Sequence, residues 1–585
     1  MRIGLLTEGG YPYVSGDARL WCDRLVRGLG QHEFDIYALS RSRRQEDEGR
    51  LELPPHVSRV RTAPLWTAEE DGVGYGRRAR RRFVESYGEL AGVLCAGPAA
   101  DGVDGADRRD GPDNSGAEPG HMADRFGSAL YGLAELARDE GGLVGALRSD
   151  TAVRTLERAC RAPGALGTAR EARVPDLLAV AAHLERALRP LSLDWYGDDG
   201  LGAADLCHAT AGGTAALPGL LARHFSDVPL LVTEYGVPLR SHYLASGPDT
   251  ATPAVRALLA AFHGRLTAEV YGRAAIITPG NAHARRWQER CGAGRARIRT
   301  VHPGMEASRF TEVGEAPDRA DPDTLVWVGR IEPSKDLVSL LHAFAEVRRE
   351  APKARLRVLG APAGPEGKAY LGHCKALAAQ LFPDEAEGVH AVGDNPVAFE
   401  EIGGPEAPTL AHAYASGAVV VLSSVVEGFP VGLVEAMLCG RATVSTDVGA
   451  VVEAIGGTGL VVPPRNPRAL AEACVALLRD PERRERLGAA ARARALELFT
   501  VEQNIAAFHG IYLEIVSHCP VRRVVLSAAG EPLPFAVPAE AHIPVRWTGP
   551  TARVIARGGP GWASAAATRP APVRATPLAA AEGPL

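Results

Sequence analysis

Lysine is almost absent. The 585 residues contain only Lys335, Lys353, Lys368 and Lys375, so arginine supplies nearly all of the positive charge. Cationic excess is absent too. Lys+Arg 65 against Asp+Glu 70 leaves a net charge of -5, which excludes charge-driven, sequence-independent nucleic-acid binding. The nine cysteines form no CxxC pair and are odd in number, which argues against a disulfide framework or a zinc site and suits a reducing compartment. Long apolar runs are lacking. The opening Met1-Arg2-Ile3-Gly4-Leu5-Leu6 is too short for a signal peptide. The uncharged stretch from about Ala407 to Val426 is broken by Pro408, His412 and Tyr414, and reads as a buried helix–strand pair. The expectation is a soluble cytoplasmic protein. Apolar residues at 46% and charged residues at 23% match an ordinary globular chain, so disorder throughout is excluded.

What is present is alternation. Ile3–Leu6 reads as a strand, ending at Gly9-Gly10. Ala18, Trp21, Cys22, Leu25, Val26 and Leu29 then fall on one helical face. Phe34–Leu39 reads as a second strand, so the chain opens as a βαβ unit. Leu206, Leu230–Val232 and Ala275–Thr278 read as further strands. From about Ala96 to Gly127 the Gly, Ala, Asp and Pro content predicts a disordered insertion. A second alternating block runs from Leu325–Val328 through Leu356–Leu359, Val419–Leu422, Thr443–Ser445 and Leu460–Val462 to about Leu498. The fold class expected is α/β: two Rossmann-like doubly wound domains, over about 1–310 and 323–498, facing each other across a cleft. A hinge is placed near Glu312–Pro322, and a helix over 499–517 packs back on the first domain. The tail 520–585 is rich in Ala, Pro and Arg, and its end is expected to be disordered.

The most informative segment runs from Ser423 to Met437. Glu427 follows a buried strand on a Gly/Pro loop. Glu435 lies in a helix starting near Val431, whose N-terminus offers unpaired N–H groups and partial positive charge. Singly, each carboxylate reads as well as a helix-start residue stabilised by the dipole.

The run Glu427 to Glu435, with Cys439–Ala450, Glu453 and Gly459–Pro464, resembles the EX7E region of glycosyltransferase family 4, whose members are retaining, nucleotide-sugar-dependent GT-B enzymes. Val328–Leu337 resembles the family's GR…K segment, and Val301–Glu306 its interdomain element. Glu8–Val14 and Val232–Gly236 look most like the PelF-type branch, which makes exopolysaccharide from UDP-glucose. The resemblance spans about residues 1–517. It implies that Arg330 and Lys335 neutralise a donor diphosphate, that Glu427 accepts from donor-sugar hydroxyls, and that Glu435 binds the ribose. Gly428, Phe429, Gly432 and Leu433 would supply the loop around sugar and phosphate.

Two departures stand out. Where the family carries paired glycines, this chain has only Gly16, next to Asp17, which reads equally as a helix cap. Tyr235 stands where the branch has a histidine; it can hydrogen-bond but carries no positive charge at neutral pH. His208 matches a frequent family histidine, and it also reads as a satisfied core group. His208 and Tyr235 are the catalytic candidates. The implied activity moves a hexose, with glucose the branch's sugar, from a UDP-sugar to a saccharide or other hydroxyl acceptor, in exopolysaccharide synthesis. It needs no cofactor and no metal, and it leaves room for a membrane-associated polysaccharide assembly as partner. The alternatives are a catalytically silent sugar-nucleotide-binding subunit of such an assembly, or another GT-B enzyme such as an epimerase or α-glucan synthase.

Overall fold

A computed structural model describes residues 1–14, 19–65, 72–96, 119–245, 251–315, 320–383, 395–405 and 407–521. Gly16 and Asp17 therefore lie outside the described residues, as do most of the predicted insertion and nearly all of the tail.

Two parallel six-stranded sheets organise the described chain. The first comprises β1 (Arg2–Glu8), β2 (Glu33–Ser40), β3 (Val57–Pro64), β4 (Leu206–Ala209), β5 (Leu230–Glu234) and β6 (Ile276–Pro279), in the order β3-β2-β1-β4-β5-β6. The second comprises β7 (Asp321–Val328), β8 (Arg355–Leu359), β9 (Val397–Glu400), β10 (Gly417–Leu422), β11 (Ala442–Thr446) and β12 (Leu460–Val462), in the order β12-β11-β10-β7-β8-β9. The architecture is the expected α/β pair of Rossmann-like domains. Strand order reverses between β1 and β4 in one sheet and between β7 and β10 in the other. At each reversal the crossovers leave to opposite sides and a crevice opens beyond the strands' C-terminal ends, where α/β sheets hold ligands.

Helices cover both faces of the second sheet, and its strands show why. Leu325, Trp327, Val419 and Val421 point to one apolar cluster, while Val326, Val328, Val420 and Leu422 point to the other. With a side-chain period of two, continuous apolar strands must be buried on both sides. The first domain carries a large helical segment between β3 and β4. Its helix Pro119–Glu140 corrects the predicted insertion: residues from 119 to 127 are helical, and Met122 and Phe126 are buried. At Gly127 a Cβ would sit 3.2 Å from the Glu269 carboxylate, a tight contact that this side chain would have to ease.

The stretch chosen as hinge forms a short helix, Thr311–Glu315, and Pro322 falls at the start of β7. The helix Val501–His518 runs back to the first domain, where the Tyr512 hydroxyl meets His208 Nδ1 at 2.7 Å. Among the described residues no helix is long and apolar enough to cross a membrane.

Candidate functional site

The crevice at the β7/β10 reversal is a cavity of about 550 Å³, within the usual range for small-molecule sites. Arg330, Lys335, Glu427 and Glu435 all line it, together with Phe429 and Gly432. Arg330 and Lys335 come from one loop and Glu427 and Phe429 from another more than 90 positions away, Gly432 and Glu435 lie in the helix that follows, and hydrogen bonds hold the two loops together. The Val425 amide donates to the Ser334 carbonyl (2.9 Å), and the Ser423 hydroxyl donates to the Lys335 carbonyl (2.7 Å). Lys335, in the short turn Pro333–Lys335, forms an ion pair with Glu427, whose Oε1 also accepts from Ser424 Oγ at 2.8 Å. Both members of the pair are mostly buried, with 17% and 11% of their side chains exposed, so the pairing holds two charges that would otherwise lose water uncompensated. Arg330 is exposed.

A third loop buttresses the second. Gly449 adopts a φ of +58°, and a Cβ there would stand 2.5 Å from the Glu427 carbonyl. Only glycine allows both the left-handed backbone and that approach, and next to it the Ala450 amide donates to the Gly428 carbonyl at 3.0 Å.

Glu435 sits in the helix Val431–Leu438. The Tyr414 hydroxyl donates to its Oε2 at 3.0 Å. Burial pushes the Glu435 carboxyl up, while the Tyr414 hydrogen bond and the charges of Arg309 and Arg24 hold it down. Tyr414 is buried and lines the same cavity, yet sequence reasoning missed it. The only signal was a lone tyrosine in an uncharged, helix-compatible stretch.

The loop residues divide. Phe429 lines the cavity and also packs against two further aromatic rings, tilted to His302 with centroids 6.1 Å apart and edge-on to Phe499 at 5.5 Å. Gly432 lines the cavity beneath Tyr414; a Cβ there would stand 3.1 Å from the phenol oxygen. Gly428 is exposed and lies outside the cavity lining. Leu433 corrects its expectation: its side chain is in the core, and its amide donates to the Pro430 carbonyl at 3.1 Å.

His208 is likewise a correction. It is fully buried, with Nδ1 2.7 Å from the Tyr512 hydroxyl and Nε2 2.7 Å from Thr233 Oγ1. Desolvation pulls its pKa down to about 3. A neutral, doubly bonded core imidazole has no face left for a substrate. Tyr235 packs edge-on against Trp21, with centroids 5.4 Å apart. Burial pushes its phenol up, the nearby Asn504 side chain opposes that shift, and the residue is not part of the cavity wall. Among the described residues no three His, Cys, Asp or Glu side chains are grouped to hold a metal ion.

Residues 1–296 match a family model described as a domain of unknown function (DUF3492), and residues 322–480 match one described as glycosyl transferases group 1. A D-inositol 3-phosphate glycosyltransferase from Kineococcus radiotolerans is 34% identical over 38% of this chain and 52% of its own length. One from Frankia alni is 36% identical over 34% and 49%. The chain thus spans about half the length of these curated relatives. Of solved structures, a sucrose-phosphate synthase from Thermosynechococcus elongatus is similar over 88% of this chain and 99% of its own, at 16% identity and a TM-score of 0.49. Anabaena Alr3699/HepE in complex with UDP and glucose is similar over 88% and 100%, at 14% identity and a TM-score of 0.48.

Proposed function

We infer the function of a chain that belongs to the DUF3492 family through residues 1–296 and carries a glycosyl transferases group 1 segment over residues 322–480: it is a retaining glycosyltransferase that moves a hexose from a UDP-sugar to a hydroxyl acceptor. Glucose is the sugar we assign, exopolysaccharide synthesis the role, and a PelF-type transferase the kind of enzyme we propose. The observation that carries the reading is the convergence of Arg330, Lys335, Glu427 and Glu435 on one cavity at a strand-order reversal.

In this reading the donor diphosphate takes Lys335 from Glu427 and lies between Lys335, Arg330 and the N-terminus of the helix Val431–Leu438. Charge developing on the leaving phosphate is then met by cations already in place. Glu427, released, accepts from the sugar hydroxyls, and Glu435, oriented by Tyr414, accepts from the ribose. Attack and departure share one face of the sugar, and the leaving phosphate oxygen takes the acceptor's proton, so the protein supplies position and charge rather than a nucleophile.

Calorimetry with UDP, UDP-glucose, ADP-glucose and GDP-mannose tests the reading. A UDP compound is expected to bind with a Kd below about 1 mM, roughly -4 kcal/mol; failure of all four to bind overturns it. Replacing Tyr414 with phenylalanine is expected to weaken UDP binding about tenfold, since a carboxylate loses a hydrogen bond in a partly dry site. An unchanged Kd would remove Tyr414 from the ribose contact.

The burial of His208 and the packing of Tyr235 favour one alternative, a donor-binding subunit without turnover. It expects UDP-glucose to bind and remain intact. Release of UDP above a protein-free control eliminates it.

A further inference from the structure

The helical segment of the first domain carries a pair of thiols that the donor site does not use. Cys95 ends the helix Arg77–Cys95, and Cys160 ends the helix Asp150–Cys160. The two helices lie side by side with like ends together. Near their starts the Arg80 guanidinium donates to Thr151 Oγ1 at 2.8 Å. Midway, Gly88 faces Thr155, whose Cγ2 lies 3.5 Å from where a Cβ would stand. At their ends the two sulfurs meet at 3.5 Å. The chain just beyond is fastened as well: the Leu166 amide donates to the Cys95 carbonyl at 2.9 Å, and Ala96 pairs with Ala165. Both cysteines are buried. Among the described residues, which include all nine cysteines, only these two bring sulfur to sulfur.

Packing alone does not ask for such a pair, since a buried thiol serves as a small apolar group that other side chains could replace. Two thiols in contact, 65 positions apart in sequence, add the chemistry of joining. A disulfide needs about 2.05 Å between sulfurs, so roughly 1.5 Å remains to be closed, between helix ends that backbone hydrogen bonds already hold. The pair is also unequal. The Cys95 thiol donates to Cys160, and this hydrogen bond pulls the Cys160 thiol down; burial opposes the shift, Arg161 aids it and Glu157 opposes it. The same hydrogen bond, with burial behind it, pushes the Cys95 thiol up. The sulfur with more thiolate character is the better target for an oxidant, which makes Cys160 the attacking sulfur and Cys95 the resolving one.

We propose that Cys95 and Cys160 form a reversible disulfide when the protein meets a hydroperoxide, tying the ends of their two helices together. The Cys160 sulfur attacks the O–O bond of hydrogen peroxide. An S–O bond forms, giving a sulfenic acid, and the second oxygen leaves as water with the Cys160 proton. The Cys95 sulfur then attacks the sulfenic sulfur. The S–S bond forms, the S–O bond breaks, and the hydroxyl leaves as a second water with the Cys95 proton. The two thiols lose two electrons, and one peroxide becomes two waters. A thiol reductant reverses the bond by exchange. In a reducing compartment such a bond is transient and serves sensing rather than folding. The inference goes beyond the transferase reading and does not depend on it.

The test treats the full chain with a small excess of hydrogen peroxide, blocks the remaining thiols with N-ethylmaleimide, and maps the unreduced digest by mass spectrometry. The expected product is a peptide pair joined through Cys95 and Cys160, absent before peroxide and lost after dithiothreitol. The melting temperature should rise by several degrees, because the bond closes a long loop, and should return on reduction. Cys95→Ala should hold the oxidation on Cys160, trapped as a dimedone adduct, while Cys160→Ala leaves Cys95 a free thiol. Cys519, which is exposed, reports that the peroxide dose was sufficient. The proposal is overturned if Cys519 is oxidised while Cys95 and Cys160 stay free, or if the two join only after unfolding in urea. An equal rise in melting temperature in Cys95→Ala would overturn the tie between the helices, and a dimedone adduct on Cys95 in Cys160→Ala would overturn the assigned order. The wild-type peptide map decides even where an alanine variant fails to fold, and no readout requires nucleotide binding, so a failed transferase reading leaves the test intact.

Discussion

Lys335→Ala should cut UDP release from UDP-glucose by about two to three orders of magnitude, the range seen when one preorganised stabiliser of developing charge is removed. The loss is expected in kcat and kcat/KM together, because the cation matters most when the bond to phosphate is breaking. Lys335 also neutralises Glu427, so its removal leaves a mostly buried carboxylate without its partner. Glu427→Gln in the same chain separates the two effects. If the first loss were only misfolding around an unpaired charge, the double variant would recover turnover. The account expects the double variant to recover thermal stability and to remain inactive. Recovered turnover would place Lys335 in a structural role.

His208→Asn should show the second large effect, on stability rather than turnover. The native imidazole bridges Tyr512 of the C-terminal helix and Thr233 of β5. Asparagine cannot span both, so one buried hydroxyl loses its partner and a void opens, at a cost of about 2–4 kcal/mol. The pH dependence gives an independent signature. The folded pKa is depressed to about 3, whereas an unfolded histidine titrates near 6.5. Between those values the unfolded chain binds more protons, so this contribution is complete above about pH 6.5 and is lost as the pH falls toward 3. His32, His183 and His263, held down to about 4 by burial, act in the same direction. Melting temperatures from pH 8 to pH 4 should therefore fall steeply in the wild type and less steeply in His208→Asn, which starts lower. Equal slopes would contradict the burial argument. Loss of UDP binding by the variant at pH 7.5, where it is folded, would return His208 to the site.

The sequence was most informative where one physical signal dominated. Central strands such as Val419–Leu422 are apolar on both faces, and their runs were plain. The edge strands β3 and β9 were missed. VSRVRTAP places Arg59 and Arg61 on an edge strand, and VAFE is four residues long, so neither has the composition of a buried strand. The helix Pro119–Glu140 was partly read as insertion because Gly120 and Gly127 look like breakers; what holds it helical is the burial of Met122 and Phe126 against the rest of the domain, which local composition does not reveal. At the candidate site the four charged residues were named through the resemblance to glycosyltransferase family 4. Tyr414 was not, since its role exists only once its helix is laid beside Glu435. The error at His208 has the same origin. A histidine after a strand can face the cleft or the core, and here Tyr512, more than 300 residues away, decides.

The central claim is tested most directly by a crystal structure of the full chain with UDP-glucose. The account predicts the diphosphate within about 3 Å of Lys335 Nζ and the Arg330 guanidinium, and the ribose hydroxyls within the same distance of Glu435. A nucleotide bound in any other cavity, or one touching neither cation in this cavity, would contradict it.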